Sequence, residues 1–179
     1  MNDLFLLQED HGEYLTLDEV RKELSKLTDE EINSCKKLQE YDIIFCYQVI
    51  LGGPNNGKYK RRHAIVVNPR TKHKFNATDI IPITSSIDET NDSLFEQCKI
   101  KIVDAKNAGL SSNKDLYMSL YNLYENTAYG KPLRYVTKGF IAKKVGHLQE
   151  NDIEQIQQYH YKWSLRKNTH FLLDNISQV

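Results

Sequence analysis

Cysteine, proline and glycine are all scarce in this chain of 179 residues, which holds three, four and eight of them. Three widely spaced cysteines, Cys35, Cys46 and Cys98, are an odd number and fit reduced thiols in a cytosolic setting better than a disulfide framework. No metal-ligand pattern joins them to the histidines, so neither a metal nor another cofactor is expected. No apolar stretch approaches the ~18 residues of a spanning helix. The opening "MNDLFLLQED" has no basic segment, and its apolar run is too short for a signal peptide. A cytoplasmic protein without membrane contact is therefore expected. Net charge is also missing, with 24 basic against 24 acidic residues. What is present is 40% hydrophobic residues and eleven tyrosines, in a length suited to one folded domain with a real core.

The zero net charge hides a separation along the chain. Residues 1–40 carry eleven carboxylates and five cations, a net minus six. Residues 58–74 carry Lys58, Lys60, Arg61, Arg62, Arg70, Lys72 and Lys74 with no carboxylate, and residues 131–147 add Lys131, Arg134, Lys138, Lys143 and Lys144, again unopposed. Such runs are the electrostatic footprint of a polyanion site, and equally of an ordinary solvated surface.

In the acidic arm, Thr16 with Glu19 and Thr28 with Glu31 each form a Thr-x-x-Glu capping box. Two short helices are expected, one with Leu17, Val20, Leu24 and Leu27 on its apolar face, the other with Ile32, Cys35 and Leu38. From Tyr41 the period changes. "YDIIFCYQVIL", "RRHAIVVN", "ATDIIPITSS", "QCKIKIVD" and "DLYMSLYNLY" read as five strands, and "YGKPLRYV" reads as loop. The tail "NDIEQIQQYHYKWSLRK" returns to a helical period, with Asn151 as its cap and Ile153, Ile156, His160 and Trp163 near one face.

"GGPNNGKYKRRHAIVV" offers Gly52, Gly57 and Lys58 in the order of a phosphate-binding P-loop. Two features argue against that reading. Tyr59 stands where a magnesium-binding hydroxyl belongs, and a β-branched run follows where a helix should open. The glycines, Pro54 and Asn55-Asn56 read better as a loop joining two strands.

The order of these pieces resembles the PemK/MazF toxins of toxin-antitoxin systems. "YDIIF" is similar to the family's opening "GDI" strand with Tyr41 in place of Gly, "RRHAIVVN" to its "R-P-A-(L/V)-V-(V/I)" strand, and "IIPITSS" to its "(V/A)-x-P-I-T-S" segment. "AGLSSNKDLYMSLYNLY" resembles the later glycine-leucine turn and strand, and "VGHLQENDIEQIQQ" the "G-x-L" approach to the last helix. The resemblance spans about Tyr41 to Trp163.

It implies a mainly β (α+β) fold. Residues 41–179 would form a small SH3-like β-barrel of the PemK/MazF type with a C-terminal helix, and residues 1–40 an acidic helical extension. It also implies a metal-independent, sequence-selective endoribonuclease that causes growth arrest. The enzyme would drive a ribose 2′-hydroxyl onto its phosphate to leave a 2′,3′-cyclic phosphate and a 5′-hydroxyl. The implied partners are single-stranded RNA, a cognate antitoxin and a second copy in a homodimer.

By motif position the catalytic arginine falls on Arg62 and the catalytic hydroxyl on Thr84. A guanidinium suits the charge gathering on a phosphorane, and a threonine hydroxyl can donate to the same oxygens. His63 stands where the family has proline and is a weaker acid/base candidate, since alternation turns it away from Arg62. Lys58, Tyr59, Lys60, Arg61 and Ser85 are the candidate RNA-binding residues, with Tyr47 and Phe75 as further stacking rings. The family's fifth-strand acidic residue has no counterpart in "SLYNLYE", which offers Ser119, Tyr121 and Asn122, and Asp79 reads as a strand-start residue.

Thr84 read by itself is a strand-end hydroxyl capping a turn with Ser85 and Ser86. The rival class is a non-catalytic RNA-binding or partner-binding barrel, including a relative of the gyrase poisons. The acidic arm could either cover one side of the barrel or dock on the basic groove.

Overall fold

The computed structural model describes residues 14–49, 54–68, 79–88, 90, 98–120 and 139–159. The protein is mainly β. Strands β1 (Asp42–Val49), β2 (Tyr59–Asn68), β3 (Asp79–Thr84), β4 (Lys99–Lys101), β5 (Tyr117–Ser119) and β6 (Gly139–His147) form one antiparallel sheet in the order β4-β5-β3-β2-β1-β6. Helices α1 (Leu17–Leu24) and α2 (Asp29–Ser34) precede the sheet, and α3 covers residues 150–159.

The sheet is not closed into a barrel among the described residues, because β4 and β6 stand at its two ends. β3 changes partner along its length. Ile80, Ile81 and Pro82 pair with Val66, Ile65 and Ala64 of β2, whereas Ile83 and Thr84 pair with Met118 and Tyr117 of β5.

Both capping boxes are built as the sequence implies. The Thr16 hydroxyl accepts from the Glu19 N–H while the Glu19 carboxylate accepts from the Thr16 N–H, and Thr28 and Glu31 repeat the exchange. Val20 is fully buried, with Leu24 and Leu27 packed around it. Ile32 does not join Leu38 in the core; it is exposed, whereas Leu38 is buried. α2 gives way at Cys35 to a 3-10 turn (Cys35–Lys37), and the tighter winding rotates Leu38 away from the Ile32 side.

Each face of the sheet buries its own set of residues. Ile43, Ile65, Ile81 and Ile83 pack with Leu110, Met118, Leu148, Ile153 and Ile156, so α3 closes one face. Farther along that face, Leu15 and Val20 of the arm cover Tyr47 and Ala142, with Phe45 and Tyr59 beside them. Ile44, Cys46, Ala64, Val66 and Ile80 bury Leu38 on the opposite face. α3 begins one residue before Asn151, the cap expected from the sequence, and the fully buried Asp152 in its first turn accepts from the Val103 and Asp104 N–H groups. His160 and Trp163 lie outside the described residues.

β6 was not anticipated. Opposite β1 its register slips twice, between Ile43/Ile44 and Phe45/Cys46, so that Val145 and Ala142 are each an extra residue. Each bulge shifts the inward positions by one and erases the period-two signal. The exposed edge of this strand is covered by the arm. The Lys144 N–H donates to the Ser34 hydroxyl at 3.0 Å, and the Cys35 thiol lies 3.5 Å from the Ala142 carbonyl.

Two glycines that read as separate motifs meet in space. A Cβ on Gly146 would stand 2.0 Å from the Ala108 carbonyl oxygen, and one on Gly109, whose φ is +85°, would stand 2.8 Å from the Val145 carbonyl oxygen. Only hydrogen fits at either position, so the loop before β5 can lie backbone to backbone on β6.

Candidate nucleic-acid interface

The loop between β1 and β2 is not a P-loop. The Lys58 N–H donates to the Asn55 carbonyl at 3.0 Å, and Gly57 has a φ of +79°. This is a β-turn with its third residue in the left-handed region that glycine favours. A strand follows it, and that strand starts at Tyr59. Tyr59 and Lys60, outside the strand read from "RRHAIVVN", therefore belong to β2 with Arg61. Gly52 lies outside the described residues.

Inclusion in a strand divides the basic run between two faces. Cys46 pairs with Arg62 and Ile44 with Ala64, on the face of Val66 and Ile80; Tyr47 pairs with Arg61 and Phe45 with His63, on the face under the arm. On the arm side, the Arg61 guanidinium donates to Glu23 of α1 at 2.5 and 3.3 Å, and the Tyr47 hydroxyl donates to the same carboxylate at 2.6 Å. Arg61 and Tyr47 hold the Glu23 carboxyl below its ordinary range against the opposing effect of burial. The second basic stretch is met in the same way, since the Lys143 ammonium of β6 lies 3.0 Å from Glu31 of α2. Arg61 is thus engaged by a carboxylate.

His63 also lies on the arm side, tilted against the Phe45 ring with centroids 5.3 Å apart. Burial, with Lys143 nearby, pushes its pKa down to about 4, and its Nδ1 is buried without a hydrogen-bond partner. The structure therefore does not bring His63 together with Arg62; the two side chains face opposite sides of the sheet.

Arg62 contrasts with both neighbours. It is half-buried, its Nε is buried without a hydrogen-bond partner, and no carboxylate among the described residues pairs with it. No ion pair among the described residues accounts for this side chain. Beneath it, burial pushes the Cys46 thiol up to about 12 although Arg62 pulls the other way, so Cys46 stays a neutral thiol.

Thr84 falls on the face of Arg62. Ile80, Pro82 and Thr84 alternate with Ile81 and Ile83, and Ile80 lies in the Arg62-side cluster. The pairing of β3 with β2 ends at Ala64↔Pro82, two residues from Arg62 on one strand and two from Thr84 on the other, where β3 leaves β2 for β5. The half-buried Thr84 hydroxyl accepts from the Ser86 N–H at 3.1 Å across the bend at Ser85, as its strand-end role requires. Its own proton remains to be donated elsewhere. Sequence reading overlooked Lys99 of β4, whose ammonium donates to the Ser86 carbonyl at 3.0 Å. It lies in the alternating "KIK" segment, and its place beside Ser86 depends on β5 lying between β4 and β3.

Of the other candidates, Lys58 is exposed at the turn, and Tyr59 packs near Phe140 at 5.9 Å. Tyr47 is buried, so it cannot stack on a base. Ser119 is buried in β5. Phe75, Arg70, Lys72, Lys74, Tyr121, Asn122, Lys131, Arg134 and Lys138 lie outside the described residues, as does the Asp79 side chain. Among the described residues no three His, Cys, Asp or Glu side chains gather as metal ligands, and no helix is long and apolar enough to cross a membrane.

Among the described residues these features define a mainly β protein with an open antiparallel sheet, three helices, and one sheet face that carries both a guanidinium without a carboxylate partner and a strand-end hydroxyl. Comparison with protein-family models finds none that matches the chain, and comparison with curated proteins finds no match.

Proposed function

We propose that the protein is a cytoplasmic, metal-independent, sequence-selective endoribonuclease toxin with an SH3-like fold of the PemK/MazF type. It cleaves single-stranded RNA by attack of a 2′-hydroxyl on the adjacent phosphate, works as a homodimer, and is restrained by a cognate antitoxin. The observation that carries the reading is Arg62: a half-buried guanidinium with no carboxylate partner, on the face of Thr84. A buried donor with no partner costs about 1–3 kcal/mol, and a phosphate would satisfy it.

In the mechanism, Arg62 donates to the non-bridging oxygens as the phosphorane forms. Thr84 donates its hydroxyl proton to the same oxygens or orients the attacking 2′-hydroxyl. Two backbone features add support. Tyr41, in the place of the family's glycine, has a φ of 67°, a region that glycine fills without strain, and the glycines of the two later motifs touch each other.

The test is Arg62→Ala beside Thr84→Val. The parent arrests growth on induction and cuts end-labelled RNA to products with 2′,3′-cyclic phosphate ends; both variants lose at least a hundredfold in cutting rate. Equal toxicity of parent and Arg62→Ala with no RNA cut would replace this reading with the binding module, for which the bond from Ser86 to the Thr84 hydroxyl is the favouring observation.

A further inference from the structure

The N-terminal arm contributes a residue to the Arg62 face that the sequence did not single out. Leu15 and Tyr59 exchange both backbone hydrogen bonds at 2.8 Å, so the arm pairs with the start of β2. Leu15 turns into the cluster of Tyr47 and Val20. Its neighbour Tyr14 turns the other way, onto the face of Lys60 and Arg62. There the Lys60 ammonium lies 5.9 Å from the Tyr14 ring centroid, and Tyr14 stays 37% exposed. Lys60 and Arg62 are two residues apart on one strand, about 6.8 Å, a span on the scale of neighbouring phosphates in an extended single strand.

We infer that Tyr14 is a base-stacking residue of the RNA groove, holding the base one nucleotide from the linkage at Arg62, with Lys60 on the intervening backbone. This rests on the nuclease reading and names part of its substrate site. A ring beside an ammonium, with a guanidinium two residues along the same strand, matches a polyanion that carries a flat base at each phosphate, and base–aromatic stacking tolerates any sequence. Two carboxylates of the arm are directed elsewhere, Glu23 to Arg61 and Glu31 to Lys143. On this inference the arm contributes to binding through Tyr14.

The probe is a fluorescein-labelled 2′-O-methyl oligonucleotide of mixed sequence, which lacks the attacking hydroxyl, titrated into the full chain. Tyr14→Ala and Tyr14→Leu should each bind about tenfold more weakly than the parent, while Tyr14→Phe, which keeps the ring, binds like the parent. Unchanged melting temperatures in all three variants would show that the arm is still seated. Parent-like binding by Tyr14→Ala, with RNA cutting still dependent on Arg62, overturns the stacking role and leaves the nuclease standing. Equal weakening in Tyr14→Phe also overturns it, since the ring would then not be what binds. A parent that neither binds the probe nor cuts RNA overturns both.

Discussion

The two faces of β2 treat adjacent cations in opposite ways. Arg61, under the arm, shares Glu23 with the Tyr47 hydroxyl and packs beside a helix; Arg62, one residue on, has a buried Nε with no partner. One is a structural ion pair. The other carries the desolvation cost of a buried donor that no described residue satisfies. A run of like charge in a strand is two half-runs facing different surroundings, and a net count over the run describes neither.

The largest effect that would break this contrast concerns rate. Arg62→Met should reduce RNA cutting at least a hundredfold while raising the melting temperature, because an apolar side chain of similar length has no buried donor to satisfy. The stabilisation should be on the order of 1 kcal/mol. Arg61→Met should do the reverse, leaving cutting within a fewfold of the parent and lowering the melting temperature. A stable, inactive Arg61 variant would erase the distinction.

Next in size is the pH response of the arm side. His63 binds its proton only near pH 4 when folded, against about 6.5 when unfolded. Its folded pKa is depressed, so its contribution is complete above pH 6.5 and is lost as pH falls from there toward 4, by up to about 3 kcal/mol. Urea midpoints measured across this window should fall steeply for the parent and less for His63→Phe. Equal slopes would show that His63 is hydrated.

A smaller loss is expected from Glu23→Gln, which leaves Arg61 and Tyr47 with a weaker acceptor. Both partners of the ion pair are about one third exposed, so the discounted cost is about 1 kcal/mol, read as a lower urea midpoint. The Glu23 carboxyl, held low by Arg61, loses its contribution as pH falls through the acidic range below its ordinary value. The smallest effect is chemical. Cys46, under Arg62 but raised to about 12, should resist alkylation in the native protein at neutral pH while the half-buried Cys35 reacts; rapid labelling of Cys46 would mean that the Arg62 face is open to water down to the strand.

How much of this was legible follows from the range of each interaction. The capping boxes, the rejection of the P-loop and five of the six strands were readable, because a Thr-x-x-Glu exchange or an alternating run closes within a few residues. Ile32 misled because the change from α to 3-10 winding at Cys35 is not written in the apolar spacing. β6 was hidden by two bulges. At the candidate site, the motif positions of Arg62 and Thr84 came from resemblance, and alternation alone turned His63 away from Arg62. Lys99 and Tyr14 could not be found by any local signal, since each reaches the site through a pairing between distant segments.

The sequence by itself determined where the chain is helical or extended and which neighbours on a strand part company, because backbone caps and side-chain alternation act over a few residues. Only the tertiary structure decided that Glu23 neutralises Arg61 and not Arg62, that Gly109 and Gly146 touch, and that β3 leaves β2 for β5 at Thr84. Those outcomes depend on which strands pair and in what register, and register is set by the packing of both faces of the whole sheet.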